Sequence, residues 1–219
     1  MGLTLKHPLI AASSGLTGKI DSIKKLASAG VSAIVLKSLF EEQISAEIGA
    51  INKAFDWNPE AQAWLDRMGK EEAAGEYLKL VEQSKKETGL PIIASINCSR
   101  PGQWEDFAKK IEIAGADALE LNIGRMPQAL DEVSCDIENS IVDIVSDVCS
   151  KTKLPVAVKL GSAYTNPGAL VSRVVKAGAK AVVLFNRFYR LDIELDNLSL
   201  KSRSEERRVG KECSYRWSP

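Results

Sequence analysis

The sequence predicts an α/β fold, a (β/α)8 TIM barrel that is incomplete, with about six βα units present. Three observations predict it. Short apolar runs alternate with longer amphipathic stretches along the chain. The apolar runs are near-continuous, the pattern of parallel strands buried on both faces. No GxGxxG or GxxxxGKS/T follows any run, which weakens the open nucleotide-binding sheet as the other architecture for alternating β and α.

The elements follow in order. "PLIAASSG" at 8–15 opens the chain as a strand. One formula then recurs in two flavours: "AGVSAIVLKS" (29–38), "AGADALELN" (114–122) and "AGAKAVVLFN" (177–186), then "TGLPIIASIN" (88–97) and "TKLPVAVKL" (152–160). In each, Gly or Pro ends a helix and a short apolar strand begins. Apolar residues at helical spacing predict helices at 20–29, 71–87, 104–114, 137–150 and 167–177. Between 40 and 70 lies a longer connection holding Trp57, Pro59 and Trp64. It is read either as a cover over a ligand or as an insertion packed by its own aromatics. Eight units need about 250 residues, so six units match a barrel cut short.

Composition narrows the class. The 219 residues are 45% apolar and 26% charged, the balance of a globular domain rather than a disordered chain. Basic and acidic residues balance at 29 each, so nothing points to nucleic acid. No run of about eighteen apolar residues or signal-peptide pattern occurs, so the expectation is no membrane and a cytoplasmic location. The four cysteines (Cys98, Cys135, Cys149, Cys213) lie far apart without a CxxC, as reduced thiols with no metal site.

Residues 203–219 differ in kind. "RSEERRVGKECSYRWSP" has no apolar period, and its first eleven residues equal an in-frame translation of a common short-read sequencing adapter. Residues 1–202 are therefore read as the barrel domain and 203–219 as a non-native tail, set aside from the fold. Without the tail's five basic and three acidic residues, 24 basic and 26 acidic remain.

The strand ends carry the candidate site. They read Ser13 and Ser14, Lys37 and Ser38, Asn97, Asn122, Lys159, and Asn186. In a parallel barrel these ends open on one face, where ligands bind. Lys37 follows "AIVL" and Lys159 follows "VAV". Lysine is a poor strand former, and a buried ammonium needs an anionic or strongly polar partner.

"HPLIAASSG", "AIVLKS", "ALELN", "PVAVKL" and "VVLFN" resemble the strand series of the dihydroorotate dehydrogenases, FMN-dependent (β/α)8 barrels, from about residue 3 to 197. The resemblance implies an oxidoreductase acting on a CH–CH bond, with dihydroorotate or a related compound as substrate, in pyrimidine metabolism. It implies FMN held by Ser13, Ser14, Lys37, Ser38, Asn97, Asn122 and Lys159, with Lys159 by the pyrimidine end of the flavin. Lys37, Asn122 and Asn186 would reach the substrate. The flavin phosphate would be held by the loops after strands seven and eight. The family's usual N-x-S-C/S-P-N after strand four reads "NIGRMP" here. Gly124 and Arg125 stand at the positions of the small residue and the base, and arginine is no base at ordinary pH. The base is therefore unassigned. The family's N-S-M-G-L/F-x-N is absent from residues 40–70. Expected partners are a small-molecule substrate, with a homo-oligomer of the full-length parent left open. The shortened chain is expected to be inactive.

A rival reading is a non-redox lyase or binding barrel that uses the strand-end lysines for an anionic ligand. Lys159 would then be a Schiff-base lysine. His7 is read as a turn residue, Cys98 as a small buried hydrophobe, and Cys135 and Cys149 as structural.

Overall fold

The structure, a computed structural model, describes residues 1–39, 59–97, 105–124, 132–186, 189–194 and 199–204. Six parallel strands lie in chain order: β1 (Ile10–Ala11), β2 (Ala33–Val35), β3 (Ile92–Asn97), β4 (Ala118–Ile123), β5 (Val156–Leu160) and β6 (Ala181–Leu184). Helices alternate with them: α1 (Ile20–Ser28), α2 (Pro59–Thr88), α3 (Glu105–Ile113), α4 (Ser134–Lys151) and α5 (Pro167–Lys176). Consecutive strands pair with their neighbours. The result is a curled half-barrel, an incomplete α/β barrel. Among the described residues β1 and β6 are not paired with each other, and Leu9, Ile10, Leu184 and Phe185 are exposed at these two edges.

Alternation along each strand sorts its side chains. Ile34, Leu36, Ile92, Ala94, Ile96, Leu119, Leu121, Val156, Val158 and Leu160 face the helices and form the main core. They meet Val81 from α2, Ile111 from α3, Ile141, Ile144, Val145 and Val148 from α4, and Leu170 and Val174 from α5. Burial of one such side chain stabilises by about 1.5–3 kcal/mol. Inside the curl, Val35, Ile93 and Ala118 pack with Met1 and Leu3, which close the N-terminal end of the half-barrel.

Local chemistry sets the boundaries. Asn166 caps α5 by accepting from the Ala169 N–H at 3.0 Å, and Pro167 takes the first helical position. Gly178 ends α5 at φ +119°, and a Cβ there would lie 2.8 Å from Cys149 Cβ, so only glycine fits. Asp117 ties two units together: it accepts from Lys85 Nζ and from the Ile92 N–H, both at 2.7 Å.

Some expectations shift. The helix expected at 71–87 starts at Pro59, so residues 59–70 of the anticipated long connection are helical. Proline at the first position of a helix is a start signal. Residues 40–58 lie outside the described residues. After β6, strands β7 (Tyr189–Glu194) and β8 (Ser199–Ser204) form an antiparallel pair, where the sequence reading had only the start of a connection. β8 includes Arg203 and Ser204, the first two residues of the segment read as a tail; residues 205–219 lie outside the described residues. Among the described residues, no helix is long and apolar enough to cross a membrane.

Candidate active site

The inner face of the half-barrel grows more polar from its closed end to the C-terminal ends of the strands. The deepest rung is Val35, Ile93 and Ala118. Two residues on, Ser95 pairs in register with Glu120, and Glu120 with Ala157. Two residues further, Asn97, Asn122 and Lys159 lie side by side. Paired residues of parallel neighbours share a face, so Ser95, Asn97, Glu120, Asn122 and Lys159 all belong to the interior.

Strand β2 joins this face through a bulge. Val35 pairs with Ile93, but Leu39 pairs with Ile96, so four steps on β2 match three on β3. The extra residue falls at Lys37–Ser38, and such a bulge re-aims side chains. The inner position that alternation would give to Lys37 passes to Ser38. Lys37 is exposed, its N–H donates to Thr17 O at 3.1 Å, and its stem lies over Gly18. The expectation of a buried Lys37 is thereby corrected. A Cβ on Gly18 would come within 3.0 Å of Lys37 Cδ, so glycine there makes room for that stem.

The bulge also diverts backbone bonds. Leu39 N–H donates to Ser95 O at 3.0 Å, while Ser95 N–H donates to the Tyr77 hydroxyl of α2 at 2.7 Å. That hydroxyl donates to Ser95 O at 2.9 Å. Burial pushes the Tyr77 phenol well above its ordinary range, so it stays protonated.

Hydroxyls and amides then link the strands. Ser38 N–H donates to Ser13 Oγ at 3.0 Å, and the two hydroxyls are 3.1 Å apart. Ser38 and Ser95 hydroxyls are 2.8 Å apart, and Ser95 Oγ donates to Glu120 Oε1 at 2.8 Å. Asn122 Nδ2 donates to Ser38 Oγ at 3.3 Å, and Asn186 Nδ2 to Asn122 Oδ1 at 2.7 Å. Ser38, Ser95, Glu120 and Asn122 are buried. Burial raises the Glu120 carboxyl above its usual value, while the Lys159 ammonium and the Ser95 bond pull it down.

The structure thus brings Ser13, Ser38, Asn122 and Asn186 into one hydrogen-bonded run, with Asn97 and Lys159 beside it on the same rung. Ser14 stands apart: its N–H donates to Thr17 Oγ1 at 3.0 Å in the turn before α1. Arg125 and Cys98 lie outside the described residues. Gly124 packs against Asn186, since a Cβ there would be 3.3 Å from Asn186 Nδ2. Ser95, Glu120 and Tyr77 were not foreseen as site residues. The available signal was the alternation of "ALELN", which sets an acid between two leucines.

A parallel half-barrel of this kind defines an α/β-barrel protein, and its polar rung lies at the strand C-terminal ends, the face where such barrels bind ligands. The chain is similar to the catalytic subunit of dihydroorotate dehydrogenase B (NAD(+)) from Methanocella arvoryzae, 31% identical over 201 residues, 89% of this chain and 63% of that protein. The corresponding subunits of Thermoplasma volcanium and Methanosarcina acetivorans are 27% and 28% identical, over 89% and 90% of this chain and 62% of each protein. The chain therefore spans less than two thirds of the length of these relatives. No family model matches it. Among solved structures, a 2,3-dimethylmalate lyase overlaps at a TM-score of 0.49 with 12% identity, covering 80% of this chain and 55% of that one. Over about nine tenths of its length, the chain is thus similar to catalytic subunits of dihydroorotate dehydrogenases.

Proposed function

We propose that the full-length protein is an FMN-dependent oxidoreductase of the dihydroorotate dehydrogenase type, acting on a CH–CH bond of a small anionic substrate, with this chain supplying six units of its barrel. The observation that carries the reading is the inner rung of Asn97, Asn122 and Lys159, joined through Asn122 to Asn186 and Ser38. Its relatives' name supplies the reaction.

The donor set fits a flavin. Carboxamides give and accept hydrogen bonds in one plane, as a ring of alternating carbonyls and N–H groups requires. An ammonium beside them favours negative charge. In this reading Asn97, Asn122 and Lys159 hold the flavin ring, and Lys37 reaches in from the rim. Asn122 and Asn186 orient the substrate. FMN, when bound, supplies a two-electron acceptor for hydride. The protein's part is to keep the ring flat against the rung and to place positive charge beside it. The group that removes the substrate proton is not assigned, because the position the family uses holds Arg125.

The test is the visible spectrum of the purified full-length protein. A yellow protein releasing one FMN on denaturation is the expected result. A colourless protein, trapped by borohydride with a carbonyl substrate at Lys159, would replace the flavin reading with a Schiff-base lyase.

A further inference from the structure

The polar run on the inner face has a direction, and Glu120 lies at its deep end, 3% exposed. A carboxylate only accepts hydrogen bonds. Ser95 has one hydroxyl proton, and it goes to Glu120 Oε1 at 2.8 Å. Ser95 Oγ must therefore accept from Ser38, 2.8 Å away. With its own proton committed, Ser38 Oγ accepts from Asn122 Nδ2 at 3.3 Å. This turns the nitrogen of Asn122 toward β2 and its Oδ1 toward β6, where Asn186 Nδ2 donates at 2.7 Å. Each step is forced by the one before, because every hydroxyl in the run has a single proton.

We propose that Glu120 is a positioning residue that sets the hydrogen-bond polarity of the site. As a pure acceptor it commits Ser95, Ser38, Asn122 and Asn186 in turn, and so decides which face of each carboxamide meets a ligand. Burial raises the Glu120 carboxyl above its ordinary value, and Lys159, on the same rung as Asn122, together with the Ser95 hydroxyl opposes that rise. A glutamine at this position could donate as well as accept, and the run would lose its fixed direction. A ring that alternates carbonyls with N–H groups senses that direction, since reversing a carboxamide sets donor against donor. This consequence for FMN rests on the flavin reading; the polarity itself does not.

Glu120→Gln and Ser95→Ala, each made in the full-length protein, test this without ligand. The side-chain amide resonances of Asn122 and Asn186 are assigned by NMR, and their hydrogen exchange is measured. The expected result in both variants is shifted resonances and about tenfold faster exchange at both amides, comparable to the loss of one hydrogen bond. Backbone amides of β3, β4 and β5 should keep their protection, which a general loosening would not allow. Asparagine amides that match wild type in a folded variant overturn the proposal. Should Glu120→Gln fail to fold, Ser95→Ala decides alone, since it keeps the carboxylate and cuts the run one link away. FMN affinity is measured alongside, with about tenfold weakening expected in Glu120→Gln. Equal affinity of variant and wild type overturns the consequence for FMN. A wild-type protein that binds no FMN rejects the flavin reading, while the amide measurement still judges Glu120.

Discussion

The two faces of the half-barrel sheet are built from the same strands and do different work. On β4, Leu119 and Leu121 point to the helices, while Glu120 and Asn122 between and beside them point inward. On β3, Ile96 belongs to the helix-side core, while Ser95 faces the interior. The outer face stabilises by burying apolar surface, a diffuse effect that any good fit supplies. The inner face gains little from its polar groups, because a buried hydrogen bond nets only about 0.5–1.5 kcal/mol. What the inner face gains instead is orientation. One sheet therefore separates apolar burial from an oriented array of polar groups by a step of one residue.

The largest effect that tests this contrast is in the core. In the full-length protein, Ile96→Ala should lower unfolding free energy by about 2–5 kcal/mol. Its neighbour Ser95→Ala, on the other face, opens no apolar cavity and should cost only the hydrogen bond to Glu120, about 1.5–3 kcal/mol. Urea titrations measure both, and equal losses would erase the contrast. A smaller effect is expected at the seam between the faces. Tyr77→Phe removes the hydroxyl that serves both Ser95 N–H and Ser95 O. The bulge leaves that N–H with no substitute partner on β2, so about 1–3 kcal/mol should be lost. A neutral result would mean that the bulge closes when the hydroxyl is absent.

The smallest effect is a slope with pH. Burial holds the Glu120 carboxyl above its ordinary value of 4.5, against the pull of Lys159 and Ser95. The folded protein thus keeps this proton more tightly than the unfolded chain. The contribution is fully present below the unfolded value and is lost as pH rises through the folded one. Glu120→Gln has no such loss. The stability of this variant relative to wild type should therefore improve as pH rises from about 4 to about 7. Denaturant melts at several pH values measure it, and a constant difference would place Glu120 in a solvated setting.

Much of the fold was legible in the sequence. Gly30, Gly115 and Gly178 after their helices, each at positive φ, mark the turns from which β2, β4 and β6 follow. The strand ends at Ser38, Asn97, Asn122, Lys159 and Asn186 were legible as a set, because a polar residue closes each apolar run. The interior was not. The runs read as apolar on both faces, yet "ALELN" alternates, and that single acid marks an inner face of a different kind. Lys37 was misplaced because no glycine or proline announces the bulge at Lys37–Ser38; it is visible only in the register between β2 and β3. Tyr77 fitted an apolar helix stripe, and nothing in the spacing shows that its hydroxyl serves the backbone of β3. The β7–β8 pair went unforeseen because "RLDIELDNLSLKS" lacks the Gly or Pro punctuation that marked the other units.

The central claim, built on the proposed flavin site, is that adjacent residues of one strand serve stability and recognition separately. It is tested most directly on β4, by comparing Leu121→Ala with Asn122→Ala in the full-length protein. Unfolding free energy and FMN affinity are measured for each under conditions where both are folded. Leu121→Ala should lose about 2–5 kcal/mol of stability and bind FMN as wild type does. Asn122→Ala should lose about 1 kcal/mol of stability and bind FMN at least about tenfold more weakly. Parallel losses of stability and affinity in both variants would contradict the account.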